Sequence, residues 1–166
     1  STLFPYTSLY RFLFARDALL EINGRGRFIG HERIREYMRH FGPPRSGLLM
    51  NHMQLQPVIH VDADGMHAQA RVRALMMVGQ MGDHAMWGEA IYENDYVKED
   101  GVWKIARLKA WQVFYTPYDK GWAVEVSPLL NEFGDFPPDE PIEAYPVFPD
   151  YFCPPYHYRN PVSGRE

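Results

Sequence analysis

The residues of this chain best suited to chemistry stand in extended, apolar runs. His52 lies early in the run Leu48–Val61. A neutral imidazole titrates near working pH, so it can take a proton from a carbon beside a carbonyl or a leaving group. The same side chain could equally bond backbone at a strand edge, and spacing does not choose between these roles. In a strand, Met50 and Gln54 share its face. Trp87, Glu89, Tyr92, Trp111 and Tyr115, in two later runs, are the other candidates to line a pocket. Alternation sets Trp87, Glu89 and Ile91 on one face, with Gly88, Ala90, Tyr92 and Asn94 on the other. It also groups Trp111, Val113 and Tyr115. A Glu89 facing an apolar cavity would have a raised pKa and could act as acid or base, whereas an exposed Glu89 would pair with a strand neighbour.

Other chemistries find little support. His60 and His67 flank the turn Asp62-Ala63-Asp64-Gly65, and His84 follows, but no H-x-x-x-H or Cys-His spacing points to a metal. No P-loop, G-x-S-x-G elbow or cysteine-nucleophile motif is present. Gly24, Gly26 and Gly30 are spaced G-x-G-x-x-x-G and sit in a hairpin context, so a dinucleotide loop is not expected. No cofactor is expected.

The elements that must position His52 follow from pattern. Asp100-Gly101 separates two β-rich runs, Ala85–Lys98 and Val102–Thr116, and favours a type I′ hairpin turn. Both runs exceed the usual strand length, so the sheet must bend and acquire a concave face. Leu48–Val61 and Met66–Val78 are two further long strands. Ahead of them we expect a short helix over Ser8–Ala15, a hairpin of Ala18–Ile22 and Arg27–Ile29, and a helix over His31–Phe41 striped by Ile34, Tyr37, Met38 and Phe41. The pattern is α+β. After Pro117 the chain becomes rich in proline and aromatics. That composition predicts an ordered, irregular arm over an apolar surface, either its own sheet or a neighbouring subunit. We expect a domain over 1–122 and an arm over 123–166.

Composition bounds the rest. A chain of 166 residues with 46% apolar content can bury a core. A net charge of −4 with scattered Lys and Arg gives no footprint for nucleic acid. No run is long enough for a membrane span and no leader is visible, and the single Cys153 fits a reducing compartment, so a cytoplasmic location is expected.

The stretch GEAIYENDYVKEDGVWKIARLKAWQVFYTP resembles the SnoaL-like branch of the nuclear transport factor 2-like superfamily, and RDALLEINGRGRFIGHERIREYM is similar to that family's first hairpin and following helix. The match covers about Leu9–Trp122. It implies a cone-shaped α+β barrel, a curved sheet wrapped on helices, with an apolar pocket at the wide end. It also implies cofactor-independent lyase or isomerase activity, that is dehydration, elimination or a double-bond shift, on a small hydrophobic molecule. Non-catalytic binding or dimerisation modules share the fold, and a homo-oligomer, dimer or trimer, is expected. The family's catalytic His corresponds to His52. In its dehydratases that His pairs with an Asp in a long opening helix or the loop after it. The usual opening helix is missing from this sequence, and Asp17 is nearest to the acidic position, although such a residue often only caps a helix. Tyr92, Tyr115 and Glu89 are the remaining partner candidates for His52. The dehydrochlorinases carry an essential Arg where this chain has Trp111, which argues against their halide-expelling chemistry.

Overall fold

The computed structural model describes residues 12–165. Its elements run β1 (Phe14–Ile22), β2 (Gly26–Ile29), α1 (Gly30–Arg39), β3 (Leu48–Val61), β4 (His67–Gln80), β5 (His84–Glu99) and β6 (Val102–Pro117). The fold is α+β, with one curved six-stranded sheet ordered β2-β1-β6-β5-β4-β3. All neighbours are antiparallel except β1 and β6. The sheet is not closed: β2 and β3 form its edges.

The four long strands follow the alternation and turn residues of the sequence. Asp100 and Gly101 have φ of 51° and 80°, the pair of positive values a type I′ turn requires. The amino-terminal end differs from expectation. Only Phe12 and Leu13 of the proposed first helix are helical, Ser8–Arg11 lies outside the described residues, and β1 begins at Phe14 rather than Ala18. Pairing with β6 explains the earlier start. Phe14 already sits opposite Ile105, and the register then slips before Leu19 meets Arg107.

One face of the sheet carries α1. Ile34 and Tyr37 of the helix pack with Leu20 and Phe28, which are paired across β1 and β2. Phe28 and Ile34 are fully buried, each contributing roughly 1.5–3 kcal/mol by removal from water. Met38 and Phe41 pack at the margin of this cluster. A second cluster continues on the same face through Ala70, Val72, Ala74, Met76, Ala90, Tyr92 and Ala110, and Ile22 and Leu108 bridge the two. We call this the inner face.

The segment after β6 packs on both sides of its own sheet: Phe133 and Phe136 join the helix-side cluster, and the stretch from Tyr145 to His157 lies on the opposite, outer face. Asn23 exchanges two hydrogen bonds with the backbone of Tyr145, of 3.0 and 3.1 Å. The Phe148 N–H donates to the Val113 carbonyl at 2.8 Å. Farther along, Pro154 is fully buried, and His157 donates from Nδ1 to Glu93 at 2.7 Å. Prolines remove donors from this irregular stretch, and a few backbone bonds together with side-chain contacts tie it to the sheet.

Candidate functional site

Cross-strand register places His52 on the inner face. His52 sits opposite Met76, Met76 opposite Gly88, and Gly88 opposite Tyr115, a row across four strands. Gly88 is required here: a Cβ would lie 2.8 Å from the Tyr115 ring and 2.3 Å from the Phe114 carbonyl. The missing side chain lets Tyr115 lie across the row and donate its hydroxyl to Met76 Sδ at 3.2 Å. Tyr92 belongs to another row, with Val72 and Ala110. Ala74 and Ala90 stand between the two rows, and their small side chains let the Tyr92 hydroxyl reach His52 Nδ1 at 3.3 Å. Met50 and Gln54 flank His52 on its face, opposite Val78 and Ala74.

The electrostatics of this group are set by desolvation. Burial lowers the His52 pKa below its usual value, although the residue as a whole is exposed because β3 is an edge strand. Burial raises Tyr92 well beyond the ordinary phenol, with Tyr115 and Tyr37 adding to the shift. Tyr115 is pushed up to about 12, chiefly by burial, then by Tyr37, with the Arg25 guanidinium opposing. At neutral pH the site therefore holds a neutral imidazole beside neutral phenols. A depressed histidine pKa fixes the sign of the pH effect. The unfolded chain binds the extra proton first, so stability is fully present above the unfolded value near 6.5 and is lost as pH falls through the folded value. An NMR titration of the His52 imidazole should give a midpoint below about 6.5, and a midpoint above it would remove the desolvated setting from the site.

Several expected residues are elsewhere. An extra residue in β6, Val113, shifts the pairing between Glu89–Phe114 and Ala90–Gln112. Such a bulge reverses which residues share a face. Trp111 therefore sits opposite Ile91 on the outer face while Tyr115 is inside, so the expected grouping of these two is corrected. Trp111 lies beneath the arm, its ring centroid 6.5 Å from that of Tyr145, and lines a cavity of about 250 Å³ with Glu21, Arg27 and Lys109. Trp87 and Glu89 also face outward. Trp87 meets the Phe114 ring edge-on, and Glu89 pairs with Arg73 across β4 and β5. Asp17 is exposed in the irregular part of β1, with three strands between it and β3. None of these four reaches His52.

The sequence reading did not single out Arg25 or Tyr37 for the site. Arg25 stands over the Phe133 ring at 4.0 Å, and its Nε and Nη1 are buried without hydrogen-bond partners. The sequence cue was a lone charged residue within the turn Asn23-Gly24-Arg25-Gly26. At the β3–β4 turn, Asp62, Asp64 and His67 bring potential ligand atoms within 4.8 Å of one another, but all three are exposed. Asp64 there accepts from the Met66 N–H and from His67.

The family description "SnoaL-like domain" matches residues 7–109, more than half of the chain. The chain belongs to the SnoaL-like family. None of the curated proteins matches this SnoaL-like chain. Among solved structures it is similar to a candidate scytalone dehydratase from Novosphingobium aromaticivorans, 18% identical, with a TM-score of 0.61 over 78% of this chain and 80% of that one. The hexachlorocyclohexane dehydrochlorinase LinA-type3 from Novosphingobium barchaimii is 18% identical, with a TM-score of 0.54 over 68% and 76%. The chain spans 55% of the Mycobacterium tuberculosis protein Rv3472, of unknown function, at 22% identity and a TM-score of 0.49 over 60% of this chain. The likenesses to the candidate scytalone dehydratase and the dehydrochlorinase establish the fold of the SnoaL-like chain, an open cone of curved sheet and helix. Among the described residues, no helix is long and apolar enough to cross a membrane.

Proposed function

We propose that the protein is a cofactor-independent lyase or isomerase acting on a small, mostly apolar molecule, with His52 as general base. The observation that carries this reading is the His52 Nδ1 to Tyr92 hydroxyl contact of 3.3 Å on the inner face. With Nδ1–H donated to the phenol oxygen, Nε2 keeps a free lone pair. That lone pair takes a proton from a carbon activated by a neighbouring carbonyl. The C–H electron pair becomes a C=C bond as a β-hydroxyl departs, and the imidazolium returns its proton to that oxygen, releasing water. If no leaving group is present, returning the proton to a different carbon moves the double bond instead. Tyr92 steadies the imidazolium through the Nδ1 bond, and Tyr115, a neutral donor, can face the developing enolate oxygen. Family membership and the likeness to a candidate dehydratase and a dehydrochlorinase support this class of reaction.

The test is conversion of β-hydroxy ketones to conjugated enones, followed by absorbance. Tyr92→Phe should cut kcat by roughly 10–100-fold, the worth of a hydrogen bond to a charged group, and leave the fold intact. Wild-type binding of such ketones without turnover would favour the second reading, a non-catalytic ligand-binding module. That reading draws on one observation: among the described residues, the polar partner found for His52 is a phenol and not a carboxylate.

A further inference from the structure

The outer face holds a group of charged side chains that the inner-face reaction does not use. Arg27, Glu21 and Lys109 form a row across β2, β1 and β6, Glu21 being paired with each of the others. Glu21 stands between the inner-face residues Leu20 and Ile22, and its side chain is only 1% exposed. A carboxylate at that depth is costly to bury without partners. Arg27 compensates one oxygen, its Nε donating to Glu21 Oε1 at 2.9 Å. The other, Oε2, has Lys109 Nζ at 3.6 Å, an ion pair too long for a hydrogen bond. Both residues line the cavity of about 250 Å³ beneath the arm.

The walls of this cavity are tied in place. Trp111, two residues beyond Lys109 on β6, lies on the sheet side, and Lys109 Nζ stands 4.8 Å from its ring centroid. Pro141, Ile142 and Tyr145 close the arm side. Asn23, 2% exposed, holds that side through both ends of its amide, which bond the Tyr145 backbone. The Tyr145 ring stacks on Phe152 at 4.0 Å, and its hydroxyl donates to Glu143 at 2.9 Å.

We propose that this outer-face cavity binds a small uncharged polyol of the monosaccharide class. Charge selects a neutral ligand. Within the lining, Arg27 and Lys109 balance Glu21 and Glu143, and Glu140, outside the lining, takes a further bond from Arg27. At the Glu21–Lys109 gap an acceptor and a donor stand side by side. A ligand carboxylate there would meet Glu21, and a ligand ammonium would meet Lys109, each a like-charge contact away from bulk water. A hydroxyl suits both, accepting from Nζ and donating to Oε2. Glu143 supplies acceptor oxygens for a second hydroxyl. The apolar part of the wall, Trp111, Pro141 and Ile142, takes the C–H face of the ring that carries them. The volume lies below the roughly 300–1,000 Å³ of pockets for drug-sized ligands, so it suits a single ring. The site is independent of the inner-face reaction, and its test needs no turnover.

Saturation-transfer NMR and calorimetric titration of the full chain with D-glucose, D-galactose and myo-inositol test the proposal. At least one should bind saturably, with a dissociation constant on the order of 1–10 mM, the ordinary reach of a ligand of about twelve heavy atoms. Lys109→Met keeps the stem beside Trp111 and removes the donor, so binding should weaken at least about tenfold. Ile142→Trp fills the cavity from the arm without touching a charge, and it should abolish binding while far-ultraviolet circular dichroism stays unchanged. Tyr92→Phe, on the inner face, should bind the same polyol as the wild type does. No saturable binding by any of the three probes, binding indifferent to Lys109→Met and Ile142→Trp, or binding lost in Tyr92→Phe would overturn the proposal. Saturable binding of acetate or tetramethylammonium in place of the polyols would overturn it as well, because the site would then select an ion.

Discussion

Replacing His52 by alanine is expected to lower turnover on the order of 10²–10⁴-fold, the usual loss when a positioned base is removed. The fold should survive, because His52 stands on an exposed edge strand, where substitutions typically change stability by less than about 1 kcal/mol. The loss should fall on kcat and kcat/KM alike, since proton transfer occurs only in the transition state. Wild-type kcat/KM should rise with pH through a value below about 6.5 and then level off, as the imidazole loses its proton. The neutral phenols beside it should not add a limb near neutrality, because burial holds Tyr115 up at about 12 and Tyr92 higher. Steady-state kinetics and a melting curve on the same sample check both halves. A folded variant with turnover within a few-fold of wild type would remove His52 as the base and leave the inner face as a binding surface.

The largest effect on stability is expected at Glu93. Its side chain and that of Arg71 are each only 10% exposed, and the two are paired across β5 and β4. The other Glu93 oxygen accepts from His157 Nδ1 at 2.7 Å, so one carboxylate ties two strands to the arm. Arg71 also donates to the carbonyls of Pro154 and Pro155, at 3.3 and 3.1 Å, and stacks over Tyr156 at 3.9 Å. Glu93→Ala strips the buried guanidinium of its counter-charge and the imidazole of its acceptor. Breaking a buried pair in this way costs about 3–5 kcal/mol. For a chain of this size that lowers Tm by roughly 6–20 °C. His157→Ala should cost less, about 1–3 kcal/mol, because Arg71 keeps its partner. Chemical denaturation gives the two energies, and proteolysis beyond Pro117 reports release of the arm. A Glu93→Ala loss of under about 1 kcal/mol would mean that the Arg71–Glu93–His157 tie contributes little to holding the arm.

The sequence by itself determined the long strands and their turns. Alternation and an Asp-Gly pair are local signals, and a type I′ turn needs only its own two residues to take positive φ. β3 was therefore read to the residue, and the turn at Asp100-Gly101 adopts the expected angles. The stripe of Ile34 and Tyr37 was legible for the same reason, since helical spacing states which side is buried. What only the tertiary structure decided is where the periodicity breaks. The bulge at Val113 turns Trp111 and Tyr115 to opposite faces, and a one-residue slip leaves no mark in composition. The pairing of Phe14 with Ile105 converts an expected helix end into strand, because a parallel ladder partner more than ninety residues away overrides local propensity. The meeting of Tyr92 with His52 depends on two alanines between their rows, and the tie of His157 to Glu93 spans 64 residues of sequence. Contacts of that kind are made by packing and register, which a single strand's pattern does not carry.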